Sequence, residues 1–319
     1  MNILIIGGAG FLGANLVRRC LTDPDNHVTV LDSLEPRLRA SMRPLRGVLE
    51  RIRFVRGSMG DEPLIAQAVQ DQDVIFNCAA QTSHPLSLQD PLFDAEVNCL
   101  GNLRLLEAVR LLNPGATVVY ASSSTVIGKA DSPVVDETHA ERPLDIYSAN
   151  KGVAEKYYRI YNRVYDLKTV VLRFANLYGA WGKDHQDFGF VNYFINRAWA
   201  DKAIEIYGSG AQERNVMYAE DAADILYLAA SEPRLVGEVL FAAHDEHLPV
   251  IEIANRIVRI LERGRLTVID WPEERRRIEI DSVRISSGRL RGITGWRPRF
   301  SFDDGLRRTR ATLERETRS

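Results

Sequence analysis

The sequence has few cysteines, almost no net charge and no long hydrophobic run. Its three cysteines, Cys20, Cys78 and Cys99, are odd in number, form no Cys-x-x-Cys pair and have apolar neighbours. We interpret them as buried thiols of a cytoplasmic protein. The 41 basic and 43 acidic residues give a net charge of −2, which indicates neither a nucleic acid nor an anionic membrane as the partner.

Signals for a membrane, for secretion and for a metal are also missing. No apolar run approaches the roughly eighteen residues of a membrane span. A strand-like apolar run begins at residue 2, so we expect no signal peptide. His244 and His247 have no further metal ligands nearby, so we predict a solvated loop and no metal site. These absences leave a small molecule as the expected partner. The chain is long enough for one large domain or two coupled ones.

The N-terminal stretch carries the strongest structural signal. The apolar residues 2–6 are followed by glycines at 7, 10 and 13, in a Gly-x-x-Gly-x-x-Gly spacing. A strand that ends in a glycine turn and opens a helix is the first unit of a dinucleotide-binding fold. Gly7 permits the tight turn, Gly10 lets the backbone approach a pyrophosphate, and Gly13 allows close packing of helix on strand. The helix N-terminus then faces the phosphates with its free N–H groups.

A second apolar run, residues 27–31, ends in Asp32. About twenty residues after the last glycine of the turn is where such folds place the acid that binds the adenosine ribose hydroxyls. A carboxylate there would repel a 2′-phosphate, so the sequence predicts NAD rather than NADP. The alternative is that Asp32 is only a turn residue or a helix cap.

Two further strands carry small and polar residues to the same edge of the predicted sheet. Residues 73–80 form a nearly continuous apolar run, as expected of a central parallel strand, and residues 117–121 form another strand. Ligands of open α/β sheets bind at the carboxyl ends of such strands, so a hydroxyl run there is a candidate for catalysis, although serine runs are more often loops. The residues delivered are Ala79 and Ala80 after the first strand and Ser122, Ser123 and Ser124 after the second.

Tyr147 and Lys151 form a Tyr-x-x-x-Lys motif downstream of this serine run. At i and i+4 the two side chains lie on one face of a helix, one turn apart. Alone, the motif can be a surface pair. Together with the glycine turn and Asp32, it predicts a catalytic group made of Ser123, Tyr147 and Lys151.

The order and spacing of these motifs resemble the extended short-chain dehydrogenase/reductases, specifically the NAD-dependent sugar-nucleotide epimerase/dehydratase family with its UDP-glucose 4-epimerases. The resemblance covers essentially the whole chain. It implies an α/β fold with a doubly wound parallel (Rossmann) sheet, of order 3-2-1-4-5-6 or with one more strand, and a smaller C-terminal substrate-binding lobe. We expect a homodimer. We assign residues 1–176 and about 217–243 to the NAD-binding domain, and 177–216 and 244–319 to the lobe.

The resemblance also implies roles for residues on the cofactor side. Ser58, followed by Met59, stands where the family has an aspartate that meets the adenine. Asn98, in a long helix predicted over 94–112, is expected to support the active-site strand. The expected cofactor site consists of Gly7, Gly10, Phe11, Leu12, Gly13, Asp32, Ser58, Met59, Ala79, Ala80, Asn98, Ser122, Tyr147 and Lys151.

On the substrate side the resemblance implies contacts with a nucleotide sugar. Ser87 occupies the serine of a family segment that follows the alanine pair. Asn176, in Leu-Arg-x-x-Asn-x-Tyr-Gly, and Arg214, in Gly-x-Gly-x-Gln-x-Arg, are expected on the diphosphate, which suits a guanidinium fork. Arg276 is a looser counterpart for a second diphosphate contact, with a solvated position as the alternative.

The two residues after Ser123 distinguish the reactions of this family. The 4,6-dehydratases have Asp-Glu there, an acid and a base for eliminating water, and the decarboxylases usually have a Glu. Ser124 and Thr125 instead resemble the 4-epimerases and are expected near the sugar. Ile127 and Asp145 depart from the epimerase pattern, which leaves the identity of the sugar open.

We therefore predict an epimerase that acts at C4 of a nucleotide-diphosphate sugar through a transient 4-keto intermediate. Tyr147 would remove the hydroxyl proton, and Ser123 would hydrogen-bond the oxygen that becomes a carbonyl. Lowering a tyrosine pKa from about 10 toward about 7 means about 4 kcal/mol of preferential phenolate stabilisation. The alternatives are a 4,6-dehydratase, a uronate decarboxylase, a 4-ketoreductase, and a non-catalytic NAD-binding sensor or scaffold.

Overall fold

The computed structural model describes residues 1–277, 279 and 282–318 of the chain. The strands are β1 (Asn2–Ile6), β2 (His27–Asp32), β3 (Ile52–Arg56), β4 (Val74–Asn77), β5 (Thr117–Ser123), β6 (Val134–Val135), β7 (Lys168–Phe174), β8 (Asn176–Tyr178), β9 (Ala203–Tyr207), β10 (Glu213–Tyr218), β11 (Val239–Ala242), β12 (His247–Pro249), β13 (Arg265–Ile269) and β14 (Arg284–Ile285). The helices are α1 (Phe11–Cys20), α2 (Glu62–Ala68), α3 (His84–Gln89), α4 (Pro91–Ala95), α5 (Gly101–Leu112), α6 (Ile146–Tyr165), α7 (Phe190–Trp199), α8 (Ala219–Ala229), α9 (Val250–Leu261), α10 (Glu273–Arg277), α11 (Gly288–Thr294) and α12 (Phe302–Arg318).

Seven parallel strands form the central sheet, in the order β11-β7-β5-β4-β1-β2-β3. The predicted doubly wound order is confirmed, with β11 as the additional strand beside β7. The strand order reverses between β1 and β4, and in open α/β sheets ligands bind in the crevice at such a reversal. The carboxyl ends of β1, β2, β4 and β5 border that crevice.

The alternation of side chains along β1 explains the two helical layers. Ile3 and Ile5 point to a core shared with α1 and α8, and Leu4 and Ile6 point to a second core shared with α2, α5 and α6. Successive residues of a strand face opposite sides of the sheet, so a continuous apolar strand needs helices on both faces. Each such fully buried side chain contributes roughly 1.5–3 kcal/mol of hydrophobic stabilisation.

The helix predicted over 94–112 is interrupted. The structure has α4, then a π-helical turn over Glu96–Leu100, then α5. Asn98 lies in this turn, and its side chain hydrogen-bonds the backbone of Gln81 in the loop after β4 and the carboxylate of Asp94. The turn thus presents an inward polar side chain that a regular helix would place differently. Such π-turns are frequent at functional sites.

The C-terminal part of the chain builds a second core beside the crevice. Helix α9 buries Val250, Ile253, Ala254, Ile257 and Leu261, which recur at the spacing of one helical face. They pack with α7, α12 and the strands β9 and β10. Strands β12, β10 and β8 form a small sheet, and β9 pairs with β13. The boundaries assigned to this lobe stay a prediction.

One detail of the lobe corrects the sequence interpretation. His247 does not lie in a solvated loop; it is the first residue of β12, and its Nε2 accepts a hydrogen bond from the backbone N–H of Ile285 at 2.9 Å. Within the described residues, no helix is long and apolar enough to cross a membrane. In the same part of the chain, no group of three His, Cys, Asp or Glu side chains is arranged to hold a metal.

Candidate active site

The glycine turn after β1 leaves room for a ligand because side chains cannot be placed there. Gly7 has a φ of +77°, and a Cβ built on it would lie 2.5 Å from the backbone nitrogen of Ala79. A Cβ on Gly13 would overlap the carbonyl oxygen of Gly7. The ends of β1 and β4 and the first turn of α1 therefore approach one another closely. This cradle fits the pyrophosphate of a dinucleotide.

A cleft of about 410 Å³ extends from this turn across the end of β2. Eight of the predicted cofactor residues line it: Gly7, Gly10, Phe11, Asp32, Ser58, Met59, Ala79 and Ala80. Leu12 and Gly13 follow in the first turn of α1. The contacts of these residues with a cofactor stay predictions.

Asp32 lies at the end of β2 and is only 8% exposed. Its carboxylate accepts hydrogen bonds from the backbone N–H groups of Ala9 and Leu34, each at 2.9 Å. Burial raises its pKa, and the two backbone hydrogen bonds and the charge of Lys183 only partly counteract this. The acid is therefore fixed in place by the glycine turn itself, at the position expected for a ribose contact.

The opposite wall of the cleft comes from the loop after β8, which the sequence did not indicate. Lys183 lines the cleft; burial lowers its pKa to about 8, although the charge of Asp32 acts in the other direction. Trp181 lines it as well, and its indole N–H donates to Glu316 of α12 at 2.6 Å. The guanidinium of Arg18 lies 3.7 Å from the centre of the Trp181 ring. The loop after β8 thus contributes to the wall of the cleft, with Lys183 close enough to feel the charge of Asp32.

Ser123, Tyr147 and Lys151 come together at the ends of β5 and α6. Asp145 caps α6 by accepting a hydrogen bond from the N–H of Ser148 at 2.8 Å, which fixes the first turn that carries Tyr147. The Ser123 hydroxyl lies close enough to the Tyr147 phenol to act against the burial that raises the pKa of Tyr147. The Lys151 ammonium donates to the carbonyl oxygen of Ala121 at 2.7 Å, so it ties α6 to the strand that delivers Ser123.

The electrostatics of this group disfavour charge. Burial raises the pKa of Tyr147, and the hydrogen bond from Ser123 offsets this only in part. Burial also lowers the pKa of Lys151 to about 8, against the opposing charge of Glu155. Both side chains are thus removed from water. In such a buried site a positioned proton acceptor and a nearby cation have their largest effect on each other.

A histidine beside Tyr147 was not recognised from the sequence. The Nδ1 atom of His84 lies 2.5 Å from Oδ2 of Asp145, and the His84 ring packs edge-on against the Tyr147 ring, with 4.9 Å between centroids. Burial tends to raise the pKa of Asp145, but the hydrogen bond and charge of His84 outweigh it and hold that pKa low. Asp145, which departs from the epimerase pattern, is thus the partner of His84.

Three predicted contact residues use their side chains within the protein. Asn98 accepts from the N–H of Gln81 at 3.1 Å and donates to its carbonyl at 2.8 Å, which supports the loop after β4. Ser122 donates to Glu155 at 2.5 Å, and Ser87 donates to the carbonyl of His84 at 2.7 Å. The support of the active-site strand by Asn98 and direct contacts of these three residues with cofactor or substrate stay predictions.

The predicted diphosphate residues lie on β8, β10 and α10. Asn176 of β8 donates to the carbonyl of Asn215 at 2.9 Å and so joins β8 to β10. Arg214 of β10 pairs with Glu279, which shows that its guanidinium can be reached by an acidic group. Arg276 is exposed on α10. Their contacts with a diphosphate stay predictions.

Known proteins that are similar to this chain in sequence or in fold include both epimerases and dehydratases. The chain is 28% identical over 309 residues to a protein of Methanocaldococcus jannaschii described as a putative UDP-glucose 4-epimerase, covering 96% of each. It is 29% identical over 340 residues to dTDP-glucose 4,6-dehydratase 1 of Escherichia coli, covering 97% of this chain and 91% of that one. A solved structure of Thermus thermophilus UDP-glucose 4-epimerase in complex with NAD is 28% identical, with a TM-score of 0.87 over 98% of this chain and 99% of that one.

The model of the NAD dependent epimerase/dehydratase family matches residues 3–240, most of the chain. This agrees with the glycine cradle, the acid at the end of β2 and the Ser123, Tyr147 and Lys151 group. The predicted resemblance is confirmed, and NAD is the cofactor of this family. The chain belongs to the NAD dependent epimerase/dehydratase family.

Proposed function

We propose that this enzyme inverts C4 of a nucleotide-diphosphate sugar. The observation that carries the proposal is the chemistry of the two residues after Ser123. Ser124 and Thr125 are hydroxyls, and the Thr125 hydroxyl lies 2.9 Å from that of Ser123. Eliminating water from a sugar requires an acid for the leaving hydroxyl and a base for the carbon-bound proton. No carboxyl group stands at either position, so the sugar is expected to keep its mass.

The residues of the site divide the proton chemistry between them. Tyr147 takes the proton of the C4 hydroxyl, and Ser123 donates a hydrogen bond to the oxygen as it becomes a carbonyl. Bound NAD supplies the hydride acceptor at C4 and returns the hydride, so no cofactor is consumed. When the 4-keto sugar presents its other face, Tyr147 gives the proton back. Lys151 holds α6 against β5 through its hydrogen bond to the Ala121 carbonyl.

Similarity to relatives does not choose between the reactions. The matched epimerase and dehydratase are nearly equally identical to this chain. The nucleotide is expected to be held by its diphosphate through Asn176 and Arg214, a contact shared by all the alternatives. The Ser124-Thr125 pair is therefore the distinguishing feature, and the choice rests on chemistry at the sugar.

The test is a panel of UDP-, GDP-, CDP- and dTDP-sugars incubated with the purified protein, analysed by mass and by NMR of the sugar ring. An isomer of unchanged mass without net NADH is the expected product. A product lighter by one water would make the enzyme a 4,6-dehydratase, and loss of carbon dioxide from a uronic acid would make it a decarboxylase. Stoichiometric use of NADH would mean a 4-ketoreductase. Bound NAD without any turnover across the panel would favour a sensor.

We also propose that the chain forms a homodimer through α5 and α6. These two helices pack together, yet both expose large apolar side chains near their C-terminal ends. Leu111 is 62% exposed, Ile160 50% and Val164 60%. Exposed apolar clusters of this kind mark association surfaces. Sedimentation should give a dimer that Ile160→Glu dissociates; a monomer in both cases would contradict this.

A cytoplasmic location is supported by the three free cysteines.

A further inference from the structure

A histidine–carboxylate pair beside the catalytic tyrosine has no part in the epimerisation described above. His84 begins α3 and Asp145 caps α6, so the pair joins the starts of two helices. The His84 ring packs on the ring of Tyr147, 4.9 Å away and nearly perpendicular to it. A pair that served only to join the helices would not need to contact the proton acceptor of the reaction.

The two ends of the His84 ring have different surroundings. The Asp145 side chain is only 4% exposed and lies 2.5 Å from Nδ1, whereas the His84 side chain as a whole is 34% exposed. The carboxylate accepts the hydrogen of Nδ1, so whenever the ring is neutral its lone pair is on Nε2. Among the described residues, Nε2 has no hydrogen-bond partner. The ring therefore carries a nitrogen without a protein partner, in a partly exposed side chain that packs against Tyr147.

We propose that His84, oriented by Asp145, is a second catalytic base, whose Nε2 removes and returns the proton on a ring carbon next to C4 of the keto sugar. This inference rests on the proposed function, because only a ketone at C4 makes that C–H bond acidic. Tyr147 binds the C4 oxygen in that function, and the carbons next to C4 are one bond further along the sugar. A base packed against the Tyr147 ring is positioned for them.

The step is balanced without any further reactant. The C–H bond breaks, the proton goes to Nε2, and the electron pair forms the carbon–carbon double bond of an enolate with its charge on the C4 oxygen. Tyr147, which is a neutral phenol at the ketone stage, and Ser123 donate hydrogen bonds to that oxygen. Asp145 stabilises the imidazolium that forms. Return of the proton restores the ketone, and the hydrogen is exchanged with solvent while it resides on His84.

The reaction is run in D₂O with the sugar that is active in the panel. We expect deuterium at a carbon next to C4, seen as a gain of one mass unit and a lost ring-proton NMR signal, and none at C4 itself. His84→Asn is the informative variant because its amide can still donate to Asp145 but has no atom in place of Nε2. Deuterium per turnover should fall by roughly 100-fold or more, the size expected for a lost general base.

Two further variants separate chemistry from structure. Asp145→Asn keeps an oxygen for the Ser148 cap but loses the charge, so it should reduce exchange while the circular dichroism spectrum stays that of the wild type. His27 is the first residue of β2 and so lies at the amino end of that strand, away from the carboxyl ends that border the crevice. His27→Asn should therefore leave exchange unchanged. Exchange that survives in His84→Asn, or that falls equally in His27→Asn, would overturn the assignment.

The inference and the proposed function fail in different ways. An epimer formed without deuterium next to C4 would overturn the role of His84 and leave C4 epimerisation intact. If the panel yields no epimer, a nucleotide-linked 4-keto-6-deoxyhexose given directly to the NAD-bound protein bypasses the oxidation. Exchange that depends on His84 in that experiment would support the base, and its absence would refute it.

Discussion

Replacing Tyr147 with phenylalanine removes one hydroxyl and leaves the ring that packs against His84. The Ser123 hydroxyl keeps its other contacts, with the Thr125 hydroxyl at 2.9 Å and the Thr125 N–H at 3.2 Å, so no buried polar group is left without a partner. We therefore expect the free energy of unfolding to change by less than about 1 kcal/mol. A lost general base lowers the rate by roughly 10²–10⁴-fold, which is about 3–5 kcal/mol in the activation barrier.

The measurement pairs turnover with cofactor binding. Initial rates by NMR of the sugar should fall at least 100-fold in Tyr147→Phe, while calorimetry should give an NAD dissociation constant within a few-fold of the wild type. Thermal unfolding provides the control for folding. A variant that keeps more than about a tenth of the wild-type rate would refute the assignment of Tyr147 as the base, since that loss is smaller than any positioned base produces.

Three other predictions follow from the cleft. Asp32→Asn has one side-chain oxygen and so keeps an acceptor for only one of the Ala9 and Leu34 N–H groups; it should narrow the preference for NAD over NADP at some cost in stability, and Asp32→Ala, which loses both acceptors, should cost more. Equal affinities in the wild type would refute the ribose assignment. With its pKa lowered to about 8, Lys151 loses its charge as the pH rises through 8, so affinity for NAD should fall between pH 7 and 9. In Lys151→Met the fall should be less steep, and the pH dependence that remains should come from Lys183, whose pKa is also about 8. An unfolded lysine stays charged to about pH 10.4, so this group makes the folded state relatively more stable as the pH rises from 8 to 10. Gly13→Ala should lower the free energy of unfolding by roughly 1–3 kcal/mol through overpacking. The control is Gly115→Ala, whose Cβ meets nothing within 4 Å. Equal stabilities of the two variants would contradict the close packing of α1 on β1.

The central sheet was predictable because its signals are local. A strand followed by glycines at fixed spacing, or an apolar run that ends at a small residue, is visible in consecutive positions of the sequence. The exceptions depend on distant partners. Asn98 interrupts its helix because the loop after β4 offers it a backbone N–H and carbonyl, and His247 joins a strand because Ile285 donates to it. Periodicity within one segment carries no information about such contacts.

The candidate site was predictable to the same extent and for the same reason. Gly7, Asp32 and Tyr147 belong to spaced motifs; the first two line the cleft, and Tyr147 lies in the first turn of α6. Lys183 and His84 do not belong to any motif. Lys183 reaches the cleft from a loop in which the β-α rhythm has stopped, and His84 acquires its meaning only from Asp145, far away in the sequence. Both were found through the geometry of their partners.

A buried charge network shows why the catalytic strand and helix keep their register. Glu155 lies on α6 one turn after Lys151, is 2% exposed, and accepts hydrogen bonds from Ser122 of β5 and from Arg173 of β7. Arg173 also pairs with Glu141 at 2.7 Å, in the segment before α6. Removing one partner of a buried ion pair costs about 3–5 kcal/mol because it leaves an uncompensated charge. β5, α6 and β7 therefore cannot slide independently, and Ser123, adjacent to Ser122, stays within reach of Tyr147.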